Sequence, residues 1–66
     1  MSIEEAKSTV KSFSFTKVKH SYFTKGEYIY FDGEVLRDEQ NNDLSEVEEE
    51  YWSIRKNWPK TWEILY

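Results

Sequence analysis

The chain has 66 residues, a net charge of −4, no cysteine and one histidine. Those numbers exclude disulfides and thiolate chemistry and leave too few ligands for a structural zinc site. They also hold the chain to one small domain, which buries only about 60 % of its unfolded surface. Twelve aromatic residues and a hydrophobic content of 38 % are nevertheless more than a disordered chain carries.

Aromatic packing or self-association must then supply the stability, so a homodimer is one expected state. Charge is unevenly spread. Residues 1–26 carry five lysines against two glutamates, and residues 27–50 carry ten carboxylates against Arg37. Residues 51–66 carry Arg55, Lys56 and Lys60 against Glu63. Such a dipolar surface bears on partner choice and association rate more than on fold. The polar opening MSIEEAKSTV lacks the apolar core of a signal peptide. No apolar run approaches the ~20 residues of a membrane span, so a cytoplasmic protein without a membrane partner is expected.

In chain order, Ser2 and Glu5 have capping-box spacing, and Ile3, Ala6, Val10 and Phe13 recur at helical intervals. A helix over 3–11 follows, with fraying of 1–11 as the alternative. "FSFTKVKHSYF", residues 13–23, is β-branched and aromatic and reads as a strand. Its alternation slips, with Phe13 and Phe15 on one parity and Val18 and Tyr22 on the other, which asks for a bulge near Thr16–Lys17. Gly26 turns the chain. Strands over 27–31 and 34–38 then flank Asp32-Gly33, a type I′ hairpin signature. A two-residue loop pairs Tyr30 with Val35 and Ile29 with Leu36. One face then shows Ile29, Phe31 and Leu36, and the other Tyr28, Tyr30, Val35 and Arg37.

Asp43 with Glu46, and Ser45 with Glu48, match capping-box spacing for a helix over about 43–57. Glutamates at its start and Arg55 and Lys56 at its end suit the helix dipole, and Pro59 stops it. At about 100° per residue, Leu44, Val47, Tyr51, Ile54 and Trp58 form one apolar stripe, and Trp52 lies roughly 120° from its centre. "TWEILY" alternates and reads as a closing strand, with a short helix from Pro59 as the alternative. The expected fold is α+β: a three-stranded antiparallel meander on one amphipathic helix, with a short N-terminal helix and a C-terminal edge strand.

Catalysis finds little support. His20 is the only imidazole, and there is neither a glycine-rich phosphate loop nor a nucleophile elbow, so a non-enzyme without a cofactor is expected. A calcium loop counted from Asp38 has Asp43 where its glycine belongs. The leading reading is a protein-interaction module of inhibitor or adaptor type that acts by stoichiometric binding. Phages and mobile elements often encode cysteine-free, aromatic-rich chains of this size to bind a host protein, an analogy of size and composition alone. Its candidate surfaces are Trp52 with Glu48, Glu49 and Lys56, where Lys56 can lie over the indole, and the Tyr28–Tyr30 sheet face. Packing of Trp52 under a neighbouring segment is the competing explanation. A second reading is single-stranded nucleic-acid binding, with Phe13, Phe15 and Tyr22 stacking on bases and Lys17, Lys19 and His20 on phosphates. A third is nucleic-acid mimicry by the acidic stretch.

Overall fold

All 66 residues are described in a computed structural model. The first element, α1 (Ile3–Ser12), begins as its sequence asks. The Ser2 hydroxyl accepts from the Glu5 amide at 3.2 Å, and the Glu5 carboxylate accepts from the Ser2 amide at 3.1 Å. These reciprocal bonds satisfy two of the donors that a helix start leaves orphaned. Ala6 and Val10, four residues apart on one face, are fully buried.

Four short strands follow: β1 (Lys17–His20), β2 (Ile29–Phe31), β3 (Leu36–Asp38) and β4 (Trp62–Leu65). They form one antiparallel sheet in the order β3-β2-β1-β4. The expected α+β meander with a C-terminal edge strand is therefore present. Alternation sends Val18, His20, Ile29, Leu36 and Trp62 to one face, where all five are buried. The four apolar ones join Ala6, Val10 and Trp52 in one hydrophobic core, and His20 packs against its Trp62.

Four details depart from the sequence reading. The first strand covers only 17–20, because residues 13–16 form a turn in which Phe15 adopts a φ of 67°. The parity slip therefore comes from a turn before the strand rather than from a bulge inside it. Second, the hairpin pairs Phe31 with Leu36 and Tyr30 with Arg37, so its loop has four residues. One oxygen of the Asp32 carboxylate accepts from the amides of Glu34 and Val35, and the other binds Arg37 Nε at 2.6 Å. That side chain widens the loop beyond the two-residue turn, and Gly33 takes the positive φ of 99°. The register moves by two, so every side chain keeps its expected face.

Third, the second helix is short. A 3₁₀ turn at Ser45–Val47 precedes α2 (Glu48–Ser53), and residues 54–58 continue in i to i+3 turns such as Trp58 N–H to Arg55 O at 3.0 Å. The 100° spacing holds only along unbroken α-helix. Leu44, Tyr51 and Trp58 of the expected stripe do pack on the core, but within α2 the inward residues are Glu48, Tyr51, Trp52 and Arg55, while Val47 and Ile54 are exposed. Fourth, α1 is the helix laid along β1, β2 and β4, and α2 contributes mainly through Trp52 against Trp62 at 5.6 Å. No helix is long and apolar enough to cross a membrane.

Candidate binding surface

Both helices meet the sheet on its buried face. The opposite face carries Lys17, Lys19, Tyr30, Arg37, Glu63 and Leu65 by strand alternation, with Tyr28 continuing the Tyr30 parity. Its aromatic part is continuous. Phe15 stacks on Tyr30 with ring centroids 6.0 Å apart and planes 24° apart, and Tyr30 lies 6.3 Å from Tyr28. The Lys17 ammonium sits over the Tyr28 ring at 4.6 Å.

Polar contacts fix this face from its edges. The Tyr30 hydroxyl donates to the Asn41 side chain, and Arg37 Nη1 donates to the Asn41 carbonyl at 2.9 Å. Arg37 is also held by Asp32, whose carboxyl falls to a pKa of about 2 chiefly because of that bond and the two backbone donors. Lys19 pairs with Glu63 at 3.2 Å. The cations beside the tyrosines are thus mostly matched by carboxylates, and Lys17 is the one left over its ring.

Phe15 stands out energetically. A non-glycine side chain in the left-handed region costs roughly 1–2 kcal/mol. The residue held there is an aromatic that is 66 % exposed. In that conformation the Phe15 amide donates to the Phe31 carbonyl at 2.7 Å, and the ring is left facing solvent.

The other proposed site residues are distributed differently. Trp52 is only 5 % exposed, edge-to-face with Tyr51 and tilted against Trp62. It is a core residue, and the patch built around it does not exist as a surface. The cation nearest its ring is Lys7, at 6.0 Å, rather than Lys56. Glu48 instead pairs with Lys11 at 2.7 Å, while Glu49 and Lys56 face solvent.

His20 is 3 % exposed and sits between Trp58 and Trp62, with centroids at 4.7 and 4.8 Å. The Tyr22 amide donates to its Nδ1 at 2.9 Å, so Nε2 carries the proton and donates to the Pro59 carbonyl at 2.8 Å. It is an internal strut that ties the start of β4 to the end of β1, and it cannot meet a phosphate. Tyr22 is exposed beside His20 and Trp58, at the opposite end of β1 from Phe13 and Phe15. The basic aromatic strand is therefore split. Phe15, Lys17 and Lys19 join Tyr28 and Tyr30, and Phe13 lies with Leu65 and Tyr66 around a groove that Phe15 and Lys17 border from the other side.

In the acidic stretch, Asp32, Asp38 and Asp43 each accept backbone amides in local turns. Both Asp38 oxygens are taken up by Gln40 and Asn42. Burial raises the pKa of the Tyr51 phenol, which has no hydrogen-bond partner. Compared with known proteins, the chain matches no family model, no curated protein and no solved structure.

Proposed function

We propose that this protein is a small non-enzymatic interaction module that binds a protein partner through the open sheet face of Phe15, Tyr28, Tyr30 and Arg37. The strained, exposed Phe15 ring is the observation that carries the reading. Tyrosine, phenylalanine and arginine with few free charges is the composition of an interface centre, where rigid rings give area at low entropic cost. Tyr28 and Tyr30 were candidates already, and Phe15 and Arg37 complete the surface. Binding is stoichiometric, inhibitor- or adaptor-like, because the face is a platform without a water-excluding cleft.

The test is affinity capture from the source cell with wild-type protein and with Tyr30→Ala. The variant should retain its circular dichroism spectrum and lose the partner. Undiminished capture rejects the reading. A single-stranded nucleic acid is the second reading, favoured by Lys17 and Lys19 lying on the same face as three rings. It requires oligonucleotide binding at low salt that weakens in Lys17→Ala/Lys19→Ala with a flatter salt dependence. The neutralised Lys19 and Arg37 make it the weaker of the two. The acidic stretch offers a mimic less, since three of its carboxylates are committed to turns.

A further inference from the structure

The two edges of the sheet differ. On the β3 edge, Leu36 and Asp38 point their main-chain groups outward, and the following loop takes them. Leu44 N–H donates to Leu36 O at 2.8 Å, and Asp38 N–H donates to Asn42 O at 3.3 Å. That edge is closed by its own chain.

On the β4 edge, Trp62 N–H donates to the Met1 carbonyl at 3.3 Å, and the Met1 ammonium donates to Trp62 O at 2.6 Å. Trp62 therefore points outward. Main-chain groups alternate along an antiparallel strand, so Glu63 and Leu65 bond to β1 and Ile64 and Tyr66 point outward. Met1 covers the first outward position. Ile64 and Tyr66 have no such cover. They lie beside Phe13, which is 63 % exposed, and Tyr66 is itself fully exposed.

We infer that two copies of the chain pair antiparallel through Ile64–Tyr66, about a two-fold axis at Leu65. The free groups of Ile64 and Tyr66 are self-complementary in this register. Ile64 of each copy exchanges both main-chain bonds with Tyr66 of the other, which uses every uncovered group. A register centred one residue earlier sets Tyr66 against Trp62, whose groups Met1 already holds. The two Leu65 side chains meet as a close non-hydrogen-bonded pair on the open face. Tyr66 packs over the other copy's Ile64, next to Phe13. An unprotected, mostly apolar edge is a liability that closure of this kind removes. The two-fold stands perpendicular to the sheet, so the product is an eight-stranded sheet with both Phe15–Tyr30 faces on one side. The pairing does not depend on what those faces bind.

Leu65→Glu separates pairing from folding. Within one copy the new carboxylate lies across from Lys17, as Glu63 lies across from Lys19. Across the two-fold it meets its own copy and repels it. Sedimentation equilibrium should give wild-type protein twice the 8.1 kDa chain mass at micromolar concentration, and Leu65→Glu the single-chain mass with an unchanged circular dichroism spectrum. Amide exchange at Ile64 and Tyr66 in the wild type should slow as concentration rises, a readout that does not require the variant to fold. A wild type that stays monomeric, a Leu65→Glu dimer, or Ile64 and Tyr66 amides indifferent to concentration each overturns the proposal.

Discussion

Replacing Trp52 by alanine tests the placement of the second helix. The indole is buried between Tyr51 and Trp62, and truncating a buried tryptophan costs about 3–5 kcal/mol in lost transfer energy and residual cavity. A 66-residue domain has roughly 3–10 kcal/mol in total. Trp52→Ala therefore removes about half of the stability or more. The melting temperature should fall on the order of 20 °C, at roughly 4–8 °C per kcal/mol for a domain this small. Trp52→Phe should behave differently. The indole Nε1 is buried without a partner, so phenylalanine loses area but also removes an unsatisfied donor, itself worth about 1–3 kcal/mol. The two terms nearly cancel, and Trp52→Phe should lie within about 1 kcal/mol of wild type. Urea denaturation followed by far-ultraviolet circular dichroism measures both. If Trp52→Ala costs less than about 1 kcal/mol, the indole is not in the core and the helix is misplaced.

Two further substitutions probe the struts. The folded-state pKa of Asp32 is depressed to about 2 from an ordinary 3.8, so its contribution is present above pH ~4 and is lost as pH falls through 2. Asp32→Asn should then be less stable than wild type at pH 7, with the gap closing by pH 2; a gap that persists at pH 2 refutes the ion pair as its cause. His20→Ala loses buried packing and the bonds to Pro59 and Tyr22, a cost of about 3 kcal/mol by thermal denaturation. A near-neutral His20→Ala would mean that β4 docks without it.

The parts of the fold visible in the sequence were those with a local mechanism. Ser2 and Glu5 announced α1 because a capping box is written in two residues. The faces of Ile29, Phe31, Leu36, Tyr28, Tyr30 and Arg37 survived the wrong register because a slip of two preserves side-chain parity. The loop itself was hidden, since nothing in Asp-Gly shows that the carboxylate will cap two amides beyond the glycine. Trp52 was misplaced because the helical wheel takes the apolar residues from Leu44 to Trp58 as one helix, whereas residues 45–47 and 54–58 are wound tighter and turn Val47 and Ile54 outward. A stripe of Glu48, Tyr51, Trp52 and Arg55 at i, i+3, i+4 and i+7 was there to be read, but Glu48 and Arg55 do not look apolar. They reach inward as half-buried flanks, Arg55 with its guanidinium 3.7 Å over the Tyr51 ring. The open face drew on strand parity for Tyr28 and Tyr30. Phe15 reached it through a left-handed turn that composition does not signal.

The claim that Phe15 is kept for contact rather than for folding has a direct test in Phe15→Gly. Glycine relieves about 1–2 kcal/mol of backbone strain. It adds about 0.5–1 kcal/mol of unfolded-state entropy and loses roughly 0.5–1 kcal/mol of stacking on Tyr30. The sum is near zero. Stability by urea denaturation should stay within about 1 kcal/mol of wild type while affinity capture of the partner fails. Unimpaired capture, or a loss of stability above about 2 kcal/mol, would make Phe15 a structural residue and contradict the binding surface described.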